Sequence, residues 1–156
     1  MEVIMKKISP FSKKMWTIDG LVITSVFLII AVALSIFLGF DSVWKYILIL
    51  SVYVIAIIIF INSLFMPKYK YEKFSYNMDE EKIILKYGVL TEINVIIPMS
   101  RVQYVDTEQG IILKKYKLIN LTVHTAGGAY KIPYLESDIG NELQLSITKT
   151  VQERSI

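Results

Sequence analysis

The side chains able to do chemistry in this chain are few, and their scarcity excludes several functions. His124 is the only histidine, and there is no cysteine. A general base needs a partner that orients it and a nucleophile within hydrogen-bond reach, and no carboxylate stands near His124 in sequence. A lone strand histidine is more often a surface or packing residue than a catalyst. One imidazole and no thiolate would leave zinc to carboxylates, which structural zinc sites seldom use. No glycine-rich loop enters a helix through Lys-Ser or Lys-Thr, so the phosphate cradle of nucleotide hydrolases is missing. Asp79, Glu80 and Glu81 fall in one polar turn and read as solvated. The expectation is a non-enzyme with no metal, no cofactor and no small-molecule substrate. A net charge of +3 is too small for a nucleic-acid binder.

What remains is suited to contact rather than turnover. Lys68, Lys70 and Lys73 form one basic cluster, and Lys114, Lys115 and Lys117 form another. A lysine near an anionic bilayer contributes about 1 kcal/mol without selecting a headgroup.

Those residues must be positioned by elements the hydropathy pattern makes plain. Of the 156 residues 54% are hydrophobic, and the apolar ones crowd the first half. Residues 21–40 and 46–66 hold no charged side chain. About 20 helical residues at about 1.5 Å each cross a hydrocarbon core of about 30 Å. The expected organisation is an N-terminal segment over residues 1–19, a transmembrane helical hairpin over 20–67 (helices at 20–40 and 45–66), and a β-rich domain over 68–156. Bulky residues at Phe40, Val43 and Trp44 stand where a signal-peptide cleavage site needs small ones. Lys6, Lys7, Lys13 and Lys14 precede the first helix, and Lys68, Lys70 and Lys73 follow the second. The turn between them has one lysine, Lys45, balanced by Asp41. The positive-inside rule then puts both termini in the cytoplasm. Ala31, Ser35 and Gly39 recur every fourth residue and make a small-residue face for helix packing, with Ala56 expected near Ala31 and Ser51 near Ser35.

After residue 67 short alternating segments and turn signals describe an antiparallel β domain. Tyr69, Tyr71 and Lys73 read as one side of a first strand. Ile83, Leu85 and Tyr87 alternate in the next, which bends at Gly88, and Ile93, Val95 and Ile97 in a third that Pro98 ends. Val102 and Val105 are three apart, so a strand carrying both needs a bulge. Residues 110–118 suggest a short helical turn. Leu121, Val123 and Thr125 lead to Gly127-Gly128, a hairpin signal because primed turns need positive φ. Ala129 to Pro133 is the returning strand. Ile139, Leu143, Ile147 and Val151 recur every four residues, which predicts a C-terminal amphipathic helix beginning at Glu136 or Ser137.

The run from Ile97 to Asp106, then Gln109-Gly110, Leu118 and Thr125 to Gly128, resembles the bacterial pleckstrin-homology-like domain of the YdbS-like membrane proteins. Gly88-Val89-Leu90 and Ile132-Pro133 extend the likeness, and Tyr104 departs from it where histidine is commoner. The resemblance implies an α+β protein: a two-helix transmembrane hairpin, then a PH-like bent antiparallel sheet of seven strands capped by a C-terminal helix. It implies a bacterial inner-membrane location and a partner, a larger membrane protein carrying related domains; a second copy of this chain is the other partner the sequence admits. It implies no enzymatic activity, and it singles out the motif residues Arg101, Gln103 and Asp106, which either face a partner or fix a bend by bonding free backbone groups beside a bulge. Eukaryotic PH domains bind phosphoinositides through a basic loop between their first two strands, but the equivalent stretch, Asn77 to Glu81, is acidic. The leading expectation is therefore an interaction module held at the membrane. The second is a sensor of anionic lipid or envelope stress.

Overall fold

Two uninterrupted apolar stretches can satisfy their backbone groups in a bilayer only as helices, and the computed structural model, which describes residues 4–38 and 42–154, has them so. Helix α1 is Ser12–Leu38 and α2 is Val43–Lys73. Both outrun their apolar cores. Two compact units result, one of residues 13–68 and one that joins residues 1–12 to 69–156.

Within the hairpin unit, burial follows a heptad rhythm. On α2 Lys45, Ile49, Val52, Ala56, Ile59, Ser63 and Met66 are among the less exposed positions, at alternating steps of four and three, and Tyr53, Pro67 and Tyr71 are sheltered beside them. On α1 Gly20, Thr24, Phe27, Ala31 and Leu34 keep the same rhythm. This is the signature of a left-handed helix pair. Ala31 and Ala56 are both buried there. Gly20 is the close approach: a Cβ at that position would lie 2.3 Å from the Ser63 Cβ. Ser35 and Ser51 instead bond carbonyls of their own helices, Val32 and Leu48. Asn62 does the same toward Ile58. Gly39, the third residue of the expected small-residue face, lies outside the described residues.

The expected strand through Tyr69, Tyr71 and Lys73 is helix instead. Pro67 lies inside α2 and forgoes one hydrogen bond, but its fixed φ is compatible with helix. Adding a turn to an existing helix avoids the nucleation cost, and residues 68–73 contain no β-branched side chain to oppose it.

The other unit is built on six strands. Strands β1 (Ser75–Met78), β2 (Lys82–Tyr87) and β3 (Ile93–Pro98) form one antiparallel sheet in that order. A one-turn 3-10 helix, Met99–Arg101, leads to β4 (Val102–Glu108). Helix α3 (Ile111–Lys115) precedes β5 (Leu118–Thr125) and β6 (Gly128–Glu136). Strands β4, β5 and β6 make the second sheet, and α4 (Ser137–Arg154) packs on it and on the one-turn helix. The architecture is the expected α+β one, with six strands among the described residues where the resemblance implied seven. The short helical turn expected over residues 110–118 is α3. The edge of β1 is extended by the N-terminal segment: the Lys6 and Tyr76 amides each donate to the other's carbonyl, at 2.7 and 2.9 Å. The Ser9 amide donates to the Tyr134 carbonyl at 3.2 Å, and Ile8 is 2% exposed.

Three details of the second sheet depart from a plain ladder. The register shifts between Val102 and Tyr104, the bulge that the Val102–Val105 spacing required. A second shift, opposite Ile119 and Leu121, leaves Pro133 and Tyr134 on the bulged strand. Tyr134 takes φ 55°, and its amide donates to Asn120 Oδ1 at 3.0 Å. The β5–β6 loop is Ala126-Gly127, one residue earlier than expected, because Thr125 pairs with Gly128. Thr125 Oγ1 accepts from the Gly127 amide and donates to the Gly128 carbonyl, so a side chain stabilises this turn. The positive φ of 144° falls on Gly128.

Helix α4 buries Gly140 and Ile147 and half-buries Leu143 and Val151, whereas Ile139 is 41% exposed. The packing stripe thus starts at a glycine, which lets β5 come close. A Cβ on Gly140 would stand 2.4 Å from Ile119 Cδ1 and 2.6 Å from its Cγ1. Ile119 is itself buried, so it cannot swing clear. Gly140→Ala therefore loses stability, the overpacking cost of about 1–3 kcal/mol exceeding the gain of about 1 kcal/mol in helix propensity. Ile119→Ala, which removes both crowding atoms, makes the double variant more stable than the two single losses predict; thermal melts of the four proteins measure the coupling.

Candidate interaction surfaces

The bend between the two sheets is where the sequence motif lies. Pro98 ends β3, the Met99 amide donates to the Glu81 carbonyl at 2.8 Å, and Met99 is buried. This anchor swings the chain through Ser100 and Arg101 into β4. Beside it opens a cleft of about 550 Å³, lined among others by Ile96, Ser100, Arg101, Gln103, Thr125 with the β5–β6 loop, and Tyr130. Arg101 and Gln103 are exposed, and among the described residues neither side chain has a hydrogen-bond or ion-pair partner. The bend is held by Met99 and the bulge, not by these two. They leave a fork of guanidinium donors and an amide at the mouth of an open cleft. Arg101 is its only charged side chain. Ile96, on the outer strand of its sheet, is 63% exposed beside them.

Asp106 does not join them. Past the bulge β4 alternates regularly, and Thr107 faces α4 through a 3.5 Å contact of its hydroxyl with Gln144 Oε1. Asp106 therefore points to the other side. There its Oδ2 lies 3.2 Å from His124 Nε2, and the imidazole stacks on Tyr104 with ring centroids 4.2 Å apart and planes 10° from parallel. His124 thus has a carboxylate partner that is distant in sequence and adjacent by strand pairing, Tyr104 being directly opposite it. One further cross-strand ion pair, Lys131 to Glu108 at 3.0 Å, is exposed at both ends and contributes little.

The two lysine clusters fare differently. Lys68, Lys70 and Lys73 are exposed on the last turns of α2. At about 100° per residue, Lys68 lies about 200° round the helix from Lys70, so they are not one patch. Lys70 and Lys73 also offset the negative end of the helix dipole. Lys114, Lys115 and Lys117 lie on α3 and on the residue after its cap, all exposed.

The acidic turn between β1 and β2 is more than a solvated cluster. Asp79 Oδ1 accepts from the amides of Glu81 at 2.9 Å and Lys82 at 2.8 Å. These two bonds, with the Lys82 charge a smaller contribution, hold the carboxyl below its usual pKa. Tyr76, next to this turn, is pushed the other way, first by burial and then by the charge of Glu136. Among the described residues no group of three metal-ligating side chains comes together.

Comparison with known proteins places these features. Residues 16–150 match the bacterial PH domain family. The chain is 32% identical over 146 residues to the UPF0699 transmembrane protein YdbS of Bacillus subtilis (strain 168), covering 92% of this chain and 90% of that protein. No solved structure matches.

Because the Asp79 pKa is lower folded than unfolded, its contribution to stability is present above the ordinary carboxylate range and fades as pH falls through the folded value. Asp79→Ala should lower the melting temperature at neutral pH and flatten the acid limb of the stability curve. Asp79→Asn, which keeps an accepting oxygen but not the charge, should retain much of the neutral-pH stability while losing the same pH dependence.

Proposed function

We propose, the chain being a member of the bacterial PH domain family, that this transmembrane protein is a non-enzymatic interaction module whose Arg101 cleft receives a partner protein in the membrane. The family and the two long apolar helices make it a membrane-anchored PH-like protein. The observation that carries the finer reading is the unpaired Arg101–Gln103 pair at the mouth of the cleft. Arginine is over-represented among residues that dominate interface energetics, and here its donors meet nothing else among the described residues. The tether favours the same use. Only Phe74 separates α2 from β1, so a partner in the same bilayer meets this domain at high effective concentration. A larger membrane protein bearing related domains is the partner we favour.

The reading includes both termini on the cytoplasmic side. Its support is twofold: the lysine-rich flanks, and the pairing of residues 6 and 9, which precede α1, with Tyr76 and Tyr134, which follow α2. Two crossings return a chain to the side it left. The chain has no cysteine, so a single Lys149→Cys on exposed α4 reports sidedness directly. It should react with an impermeant maleimide only after cells are opened; labelling of intact cells would refute the orientation.

The partner reading is tested by purifying the tagged full-length chain from its native membranes in mild detergent. A stoichiometric membrane protein should co-purify, and Arg101→Ala should weaken its retention about 10- to 30-fold, as expected for an anchor worth about 2 kcal/mol. Recovery of the wild-type chain alone, or equal retention by the variant, refutes the cleft as the docking site.

A further inference from the structure

Helix α3 sets exposed apolar side chains beside exposed lysines outside the two apolar helices. Ile111 is 93% exposed and Ile112 46%, and Lys114, Lys115 and Lys117 follow on the same short loop. None of the three ammonium groups has an ion-pair partner among the described residues. The geometry points to this loop as a membrane-contact site: the two isoleucines enter the headgroup boundary of an anionic bilayer while the three lysines meet lipid phosphates.

The loop is built to hold that pose. Leu113 is 9% exposed and anchors the turn from beneath. Gln109 Nε2 donates to the Leu118 carbonyl at 2.9 Å, and the Ser137 amide donates to the Lys117 carbonyl at 2.9 Å. Lys117 itself sits at φ 51°, a conformation a lysine rarely adopts. The ring of Tyr116, which caps α3, packs against Phe11 at 5.9 Å, and Phe11 is the residue before α1 begins. An isoleucine left almost wholly in water on so fixed a loop gains by entering an apolar medium.

Size and charge select the occupant. Two isoleucine side chains expose far less than the roughly 800 Å² per partner of a stable protein interface. They suffice for a shallow bilayer contact in a protein already held in that bilayer, where no freedom of translation remains to be lost. Three unpaired positive charges complement anionic lipid. The site shares no residue with the Arg101 cleft, and the two stand or fall separately.

The experiment uses the full chain in nanodiscs, with Ile111→Cys as its sole cysteine, carrying an environment-sensitive fluorophore. The fluorophore should be blue-shifted and shielded from aqueous iodide in bilayers of phosphatidylcholine with phosphatidylglycerol, and exposed in phosphatidylcholine alone. Raising salt should reverse the shift. Changing Lys114, Lys115 and Lys117 to Gln should lower the ratio of inserted to free loop, on the order of fivefold per lysine. Identical spectra in the two bilayers would overturn the proposal. So would shielding that persists in lipid-free detergent and grows with protein concentration, which would mark a second copy as the occupant.

Discussion

A few main-chain hydrogen bonds constrain this structure more than any side chain. The amides and carbonyls of Lys6 and Tyr76 pair, and the Ser9 amide reaches the Tyr134 carbonyl. Residues before the first apolar helix and residues after the second are thereby part of one folded unit. An even number of membrane crossings permits this, and an odd number forbids it. The Lys6–Tyr76 pair also satisfies the backbone groups of one residue on the outer edge of β1.

Irregularity does the positioning inside the β domain. A regular strand from Ser100 onward would put Val102 and Val105 on opposite faces. The shift between Val102 and Tyr104 lets Val102 enter the core at 6% exposure and turns Gln103 out toward the cleft. The second bulge leaves the Tyr134 amide without its ladder partner, and the Asn120 side chain accepts it. An amide buried without such a partner costs about 1–3 kcal/mol. The second bulge therefore comes with its own compensation.

Much of this was legible in the sequence. The charge-free runs specify helices because a bilayer leaves no other outlet for backbone hydrogen bonds. Alternation at Ile83 to Tyr87 and Ile93 to Ile97 specifies strands, and the odd spacing of Val102 and Val105 specifies a bulge. Motifs from Ile97 to Gly128 pointed to the family. The readings that shifted were local ones with two near-equal solutions. Residues 69–73 alternate like a strand but extend a helix already formed. The hairpin glycines admit two registers, and the Thr125 hydroxyl selects the one whose loop is Ala126-Gly127. Ile139 keeps the spacing of the α4 stripe, yet Gly140 takes the packing position because only a glycine fits against Ile119.

The amino-acid sequence by itself determined the class of the molecule, its two apolar helices, most of its strands and its C-terminal helix, since periodicity and charge act over a few residues. Tertiary structure alone decided which distant groups meet. It separated Asp106 from Arg101 and Gln103, and gave it to His124 18 residues away. It left Lys114, Lys115 and Lys117, already a cluster in the sequence, exposed beside two exposed isoleucines, and set Lys68 and Lys70 on different sides of a helix. It also drew the N-terminal segment into a domain that begins more than 50 residues later in the chain. Such pairings follow from strand register and chain return, and these are settled only when a whole core packs.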